Sequence, residues 1–282
     1  MLTWKIGNVT ISRIVEIELP GLTFILPDAT PENVSQIDWL APHFVTAEHE
    51  PIASVQTFIV ESQGRCIMVD TCIGNDKSGL PIRPWNGRTG PFLQDLEASG
   101  FPRDSIDTVL CTHLHMDHVG WNTVLEDGKW KPTFPEARYL FGRVEWEHWS
   151  ANRDAHAPSM LQESVDPIVE ADLHTLVETE HRLTDEVWLE PTPGHTPGHV
   201  SVRIASQGEE AVITGDLMHH PCQMARPTWK CTADTDADQA VATRKSFLER
   251  FAETPVLIIG THFAAPTAGK IIRDGDVYRL DL

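Results

Sequence analysis

His113-Leu114-His115-Met116-Asp117-His118 places four side chains of metal-ligand type within six residues. It follows the apolar run Ile106-Asp107-Thr108-Val109-Leu110-Cys111, which reads as a short buried strand. Packing gives no reason for so dense a set of imidazoles and carboxylates. Alternate residues of an extended chain point the same way, so His113 and His115 can converge on one ion. Asp117 and His118, past the bend, can point at a second. Neutral imidazole and carboxylate are ligands that zinc accepts, and an open position on such a site holds water. Three more residues of ligand type follow strand-like runs in the same manner: His195 in Pro193-Gly194-His195-Thr196-Pro197-Gly198-His199, Asp216 in Thr214-Gly215-Asp216, and His262 in Gly260-Thr261-His262. Glycine one or two residues before each lets the backbone turn sharply and approach a crowded centre.

Outward from these segments, strands and helices alternate. Residues 9–17 read as a strand, and 55–60 with 66–70 read as a hairpin turned at Gly64. Further strands are expected at 106–111, 137–141, 186–189, 200–205, 211–214 and 256–259, with a terminal pair at 270–273 and 277–280. Helices are expected at 92–99, 143–150, 159–170 and 238–252, with Gly100 as a stop for the first. Residues 20–50 are rich in Pro and read as a long loop with one short helix, and 74–91, rich in Gly, Pro and Asn, reads as a loop. This alternation predicts an α/β protein of two mixed sheets packed face to face and covered by helices. No Ser-, Gly- or Pro-rich linker divides the chain, so residues 1–282 are read as one domain.

Taken together and in this order, His113 to His118, Pro193 to His199, Gly215-Asp216 and Gly260-Thr261-His262 resemble the motifs of the metallo-β-lactamase fold hydrolases, and Val69-Asp70-Thr71 resembles that family's early strand-end motif. The resemblance implies an αββα sandwich with two divalent metal ions at the sheet edge, zinc first, with iron or manganese as alternatives. It implies that His113, His115 and His195 bind one ion, that Asp117, His118 and His262 bind the other, and that Asp216 and a hydroxide bridge them. Asp117 would also orient the nucleophile. Asp70 and His199 are expected to hold ligand imidazoles by hydrogen bonds. In lactonases of the family a tyrosine lies three residues after the bridging aspartate. This chain has His219 there, which looks more like the methyl parathion hydrolase type of branch, whose members also cleave esters and lactones. His219 is therefore expected to donate a hydrogen bond to the substrate oxygen.

Composition narrows the substrate. The formal net charge is −19, which disfavours nucleic acid, because displacing phosphate counterions takes Lys and Arg, and disfavours an anionic membrane surface. No basic cluster matches an anionic thiol ester of the glyoxalase II type. The acidic stretch Asp234-Thr235-Asp236-Ala237-Asp238 reads as a solvated loop. No leader pattern and no membrane-length apolar stretch is visible. The five cysteines form no CxxC pair and read as free thiols, so the expected setting is the cytoplasm, with a homodimer left open. Trp85, Trp121 and Trp229 lie in or beside the loops around the motifs and, with His220, are candidate walls of a pocket for a small neutral substrate bearing an apolar or aryl group. The expected reaction is opening of lactones or cleavage of carboxylic esters, with phosphotriesters as a secondary class. The alternatives on the same scaffold are an iron-dependent, sulfur dioxygenase-like oxidoreductase and a glyoxalase II-like thioesterase.

Overall fold

Runs rich in β-branched residues at the start of the chain pair as antiparallel neighbours: β1 (Leu2–Ile6), β2 (Val9–Pro20), β3 (Ile52–Ser62) and β4 (Arg65–Val69). β5 (Thr108–Leu110) joins β4 in parallel. A separate hairpin follows, β6 (Thr123–Glu126) with β7 (Lys129–Pro132), and then β8 (Arg138–Gly142) and β9 (His174–Val177) extend the first sheet in parallel to seven strands. A second sheet of six strands runs in chain order: β10 (Val187–Pro191), β11 (Val200–Ser206), β12 (Glu209–Ile213), β13 (Leu257–Ile259), β14 (Ala268–Asp274) and β15 (Val277–Asp281). Only its β12–β13 pair is parallel. The computed structural model describes residues 1–153 and 158–282.

The period of two along each strand sorts apolar side chains to opposite faces. Phe58 and Val60 of β3, Ile67 and Val69 of β4 and Leu110 of β5 meet Val202, Ile204, Ala211, Ile213 and Ile259 of the second sheet in a central layer. Their neighbours Ile59, Met68 and Val109 face the other way, into a cluster with Phe92, Leu96, Trp149 and Ile168. Val212 and Ile258 face outward on the second sheet, against Phe247, Leu248 and Phe251. The protein is thus the expected αββα sandwich. Its helices are α1 (Pro31–Val34), α2 (Phe92–Ala98), α3 (Met116–Val119), α4 (Arg143–Ala151), α5 (Pro158–Ser164), α6 (Asp166–Glu170), α7 (Cys222–Ala225) and α8 (Ala237–Phe251). Among the described residues no helix is long and apolar enough to cross a membrane.

Three expectations need correction. The helix expected over 159–170 is two, α5 and α6, broken at Val165. Pro167 has no N–H to continue the ladder, and the Glu163 carbonyl it would have met accepts instead from Lys77 Nζ at 3.1 Å and from Thr123 Oγ1. The segment 20–50 holds the one expected short helix, α1, which Thr30 caps by accepting from the Asn33 N–H at 3.2 Å, but its packing was not foreseen: Leu22, Leu26, Ala29, Val34, Ile37, Leu40 and Phe44 are buried against the outer face of the second sheet. The strands β6, β7 and β9, half exposed, carried too weak an alternation to be read.

Parallel neighbours end on the same side of a sheet. β4 and β5 therefore deliver Asp70 and the His113–His118 run to one edge, while β12 and β13 deliver Asp216 and His262 to the matching edge of the other sheet.

Candidate metal centre

Asp216 sits at the middle of this edge. Gly215 before it has φ +56, and a Cβ there would meet His199 Nε2 at 2.5 Å, so only glycine fits the turn that brings the aspartate inward. The two carboxylate oxygens of Asp216 face different histidines. Oδ1 lies 3.2 Å from His118 Nε2 and 3.1 Å from His262 Nε2. Oδ2 lies 3.3 Å from His195 Nε2, 3.3 Å from His219 Nε2 and 3.7 Å from His113 Nε2. His115 turns its Nδ1 toward His195 Nε2, at 2.9 Å. Asp117 stands at the cavity side, 3.6 Å from His262 Nε2 and 3.8 Å from His118 Nε2. Ligand atoms of His113, His115, His195 and Asp216 gather in one group, and those of Asp117, His118 and His262 in another, each within 4.8 Å.

The donor set fits divalent cations. Zinc bonds of about 2.0–2.1 Å to imidazole hold two ligand nitrogens at roughly the 2.9 Å and 3.2 Å spacings seen between His195 and His115 and between His262 and His118. His113 Nε2 is buried and has no hydrogen-bond partner, which is costly unless an ion takes its lone pair. Electrostatics point the same way. Burial alone would push the Asp216 carboxyl up, but His118, His262, His219 and His113 around it hold it well below the usual carboxylate range. Burial, with His118 beside it, drives His113 well down, whereas for His118 the pull of Asp216, Asp70 and Asp117 overrides burial and raises it well above the ordinary imidazole value. His195, also buried, is raised to about 9 by Asp216 and Asp234. A fixed carboxylate ringed by imidazoles is a seat for positive charge.

The far side of each ring is held. Asp70 accepts from His118 Nδ1 at 3.0 Å and from the Thr112 hydroxyl at 2.9 Å, and that hydroxyl stands 3.1 Å from His113 Nδ1. One carboxylate thus orients a histidine of each group, the first directly and the second through Thr112. His262 Nδ1 donates to the Ser54 carbonyl at 2.9 Å. His195 Nδ1 donates to Asp234 at 2.9 Å, a residue read from sequence as part of a solvated loop. That reading fails at Asp234, whose side chain is fully buried, and holds for the exposed Thr235 and Asp236; Asp236 caps α8, which begins at Ala237, by accepting from Gln239 N–H at 3.0 Å. A run of acids carries no periodicity that tells an inward carboxylate from an outward one. His199 also departs from expectation. It holds no ligand imidazole. Its Nε2 accepts from the Asp216 backbone N–H at 2.7 Å while Nδ1 donates to the Thr192 carbonyl at 3.0 Å, and burial depresses it to about 3, so the ring stays neutral.

Two further carboxylates went unread. Glu145, in α4, accepts from Leu114 N–H at 3.3 Å, Gly198 N–H at 3.0 Å and Trp149 Nε1 at 2.6 Å. It thereby ties the loop of His113 and His115 to the loop of His195. Glu16, where the pairing of β2 with β3 shifts register, turns inward to accept from Ile73 N–H at 2.8 Å and Trp121 Nε1 at 2.9 Å. A bulge in an otherwise alternating strand was the available signal for it.

A cavity of about 370 Å³ opens above the cluster, with His115, Asp117, His195, Asp216, His219 and His262 on its floor. Its wall is apolar, drawn from Leu19, Leu22, Phe24, Ile25, Ile82, Trp85 and Met160, and no Lys or Arg lines it among the described residues. Of the four candidate wall residues, Trp85 is there and three are not. Trp121 stacks on Phe92 with ring centroids 5.5 Å apart. His220 is buried and donates from Nε2 to the Phe44 carbonyl at 2.8 Å. Trp229 packs against the outer core of the second sheet, its carbonyl fixed by Arg244 at 2.8 Å and Gln223 at 3.1 Å.

Residues 52–262, which hold most of this fold and every candidate metal ligand, match the model of the metallo-beta-lactamase superfamily. The chain belongs to that family. It is 26% identical over 177 residues to an N-acyl homoserine lactonase of a Bacillus species, a match covering 56% of this chain and 61% of the relative. It is 25% identical over 170 residues to the N-acyl homoserine lactonase of Bacillus thuringiensis, again 56% of this chain and 61% of the relative. The matched stretch therefore spans about three fifths of these relatives. Among solved structures, the dizinc quorum-quenching lactonase AidC, bound to a product, superposes with a TM-score of 0.79 at 22% identity, covering 99% of this chain and 96% of that one. The hydrolase AbOPH gives a TM-score of 0.79 at 24% identity with the same coverage. The family, these relatives and the buried cluster of histidines and aspartates together support binding of divalent metal.

Proposed function

We propose that this protein is a dinuclear, zinc-dependent hydrolase that opens lactones or cleaves carboxylic esters of small neutral molecules bearing an apolar group. In this reading His113, His115 and His195 hold one ion, Asp117, His118 and His262 hold the other, and Asp216 joins them. The observation that carries it is the split of Asp216, whose Oδ1 faces His118 and His262 while Oδ2 faces His195 and His113. Divalent ions bound there would lower the pKa of water to near neutrality and offset negative charge on the oxygen under attack.

The chain's own side chains supply the rest. Asp117 reaches the cavity floor, where its carboxylate accepts a hydrogen bond from the attacking water and orients it. His219 lines the same floor, nearly fully buried, and a ring N–H donates to the substrate carbonyl as it gains charge. The apolar wall of Leu22, Phe24, Ile82 and Trp85 excludes water and takes the substrate's hydrocarbon part. Among the described residues no Lys or Arg stands on that wall to meet the remote anionic groups of a charged thioester or carboxylate-bearing substrate, which favours neutral lactones and esters. The lactonase relatives agree in substrate type with this reading. The test is a panel of acyl lactones, aryl esters, thioesters and phosphotriesters on zinc-loaded protein, with an oxygen electrode run beside it. Lactone or ester turnover without oxygen uptake is expected. Oxygen consumption with iron bound, and no hydrolysis, would replace this reading with the oxidoreductase one.

A further inference from the structure

Cys231 belongs to none of the motifs, yet its side chain lines the cavity beside the metal cluster. The residue is 4% exposed and its thiol is free. The sulfur accepts a hydrogen bond from the Ala233 N–H at 3.4 Å, which leaves a further lone pair for a cation. Ligand atoms of His195, His219 and Cys231 lie within 4.8 Å of one another. His219 shows one ring nitrogen to Asp216, and its other, Nδ1, is buried without a hydrogen-bond partner. Among the described residues no other cysteine joins such a group.

His195 stands in both this group and the group with His113, His115 and Asp216. Its Nδ1 is already committed to Asp234, so Nε2 can serve one ion at a time. The two groups differ in softness. Asp216 offers oxygen, whereas Cys231 offers sulfur, which selects thiophilic cations over hard ones.

Resting on the metal-centre reading above, we propose that His195, His219 and Cys231 form an alternative seat for a thiophilic divalent cation, exclusive with the seat at His113, His115, His195 and Asp216. On binding, the Cys231 S–H bond breaks, a sulfur–metal bond forms and the proton leaves to water. A cation in this seat takes His219 away from the substrate and stands against the cavity wall. Cadmium and other soft ions therefore inhibit by relocation, and not merely by replacing zinc in place.

The test is titration of the zinc-loaded protein with cadmium chloride, following the ultraviolet thiolate-to-cadmium charge-transfer absorption, the zinc released to a chromogenic chelator, and hydrolysis. The expected result is a band with the amplitude of one thiolate, growing as one zinc is released and activity falls. The Cys231→Ser variant should bind cadmium without the band, and Cys231→Ala gives a second check should the hydroxyl disturb folding. Cys222→Ser, a buried thiol outside the group, should keep the band. A band that persists in both Cys231 variants, or cadmium bound in full with no band in the unaltered protein, overturns the inference alone. Protein that takes up neither zinc nor cadmium overturns the metal-centre reading and this inference with it.

Discussion

The floor of the cavity is made mostly of side chains set at strand ends and held from behind, whereas its wall is drawn mostly from apolar side chains of three separate segments between strands. On the floor, His195 leans on Asp234 and His262 on the Ser54 carbonyl, and just beneath them His118 leans on Asp70. On the wall, Leu22 and Phe24 come from the segment after β2, Ile82 and Trp85 from the loop after β4, and Met160 from α5. A metal site tolerates little error in position, because ligand bonds are short and directional. An apolar wall needs only shape and the absence of unpaired polar groups. The difference teaches where to look for chemistry and where to look for selectivity: floor changes should act on metal content and kcat, and wall changes on KM.

The sharpest way to break that division is at Asp216. Asp216→Ala should strip both ions together and lower activity by more than the ~10²-fold that a single hydrogen-bond donor supplies. Elemental analysis of the purified variant decides it, and full occupancy would show that the carboxylate does not join the two sites. Next in size, His219→Ala should keep both ions yet lose on the order of 10²-fold in kcat, with His220→Ala, whose ring is tied to Phe44, as a control that alters the fold and not the floor. An unchanged kcat in His219→Ala on the best substrate makes it a bystander.

The two buried carboxylates separate more finely. Asp234→Asn should weaken the ion held by His195 by about 10–100-fold, as read by competition with a chelator of known affinity. Asp70→Asn should weaken both ions by a similar factor, because Asp70 reaches His118 directly and His113 through Thr112. Equal, one-site losses in both variants would contradict the relay through Thr112. The smallest effect is expected on the wall. Trp85→Leu should raise KM by roughly threefold to tenfold with kcat nearly constant, from apolar contact worth about 25 cal/mol per Å². A fall in kcat or in metal content there would erase the distinction between floor and wall.

What the sequence determined by itself is the candidate ligand set at and beneath the floor. Ligand chemistry needs particular residue types, and the fold sets them close along the chain or just after glycine at strand ends, so His113, His115, Asp117, His118, His195, Asp216 and His262 stand out in the sequence alone. The strands β3 and β12 were legible as short runs rich in β-branched and apolar residues, since a strand buried on both faces carries such side chains at successive positions. Tertiary structure alone decided the wall and the supports. Leu22, Ile82 and Met160 look like any apolar residue, and only the path of three segments over one edge makes them neighbours. Asp234 and Glu145 look like surface acids, and only the pairing of one with His195 and the other with the backbone of Leu114 and Gly198 reveals them as inward-facing. A contact between residues 39 or 53 positions apart leaves no mark on local periodicity, because nothing in either segment's own preference for helix, strand or turn depends on the partner it meets.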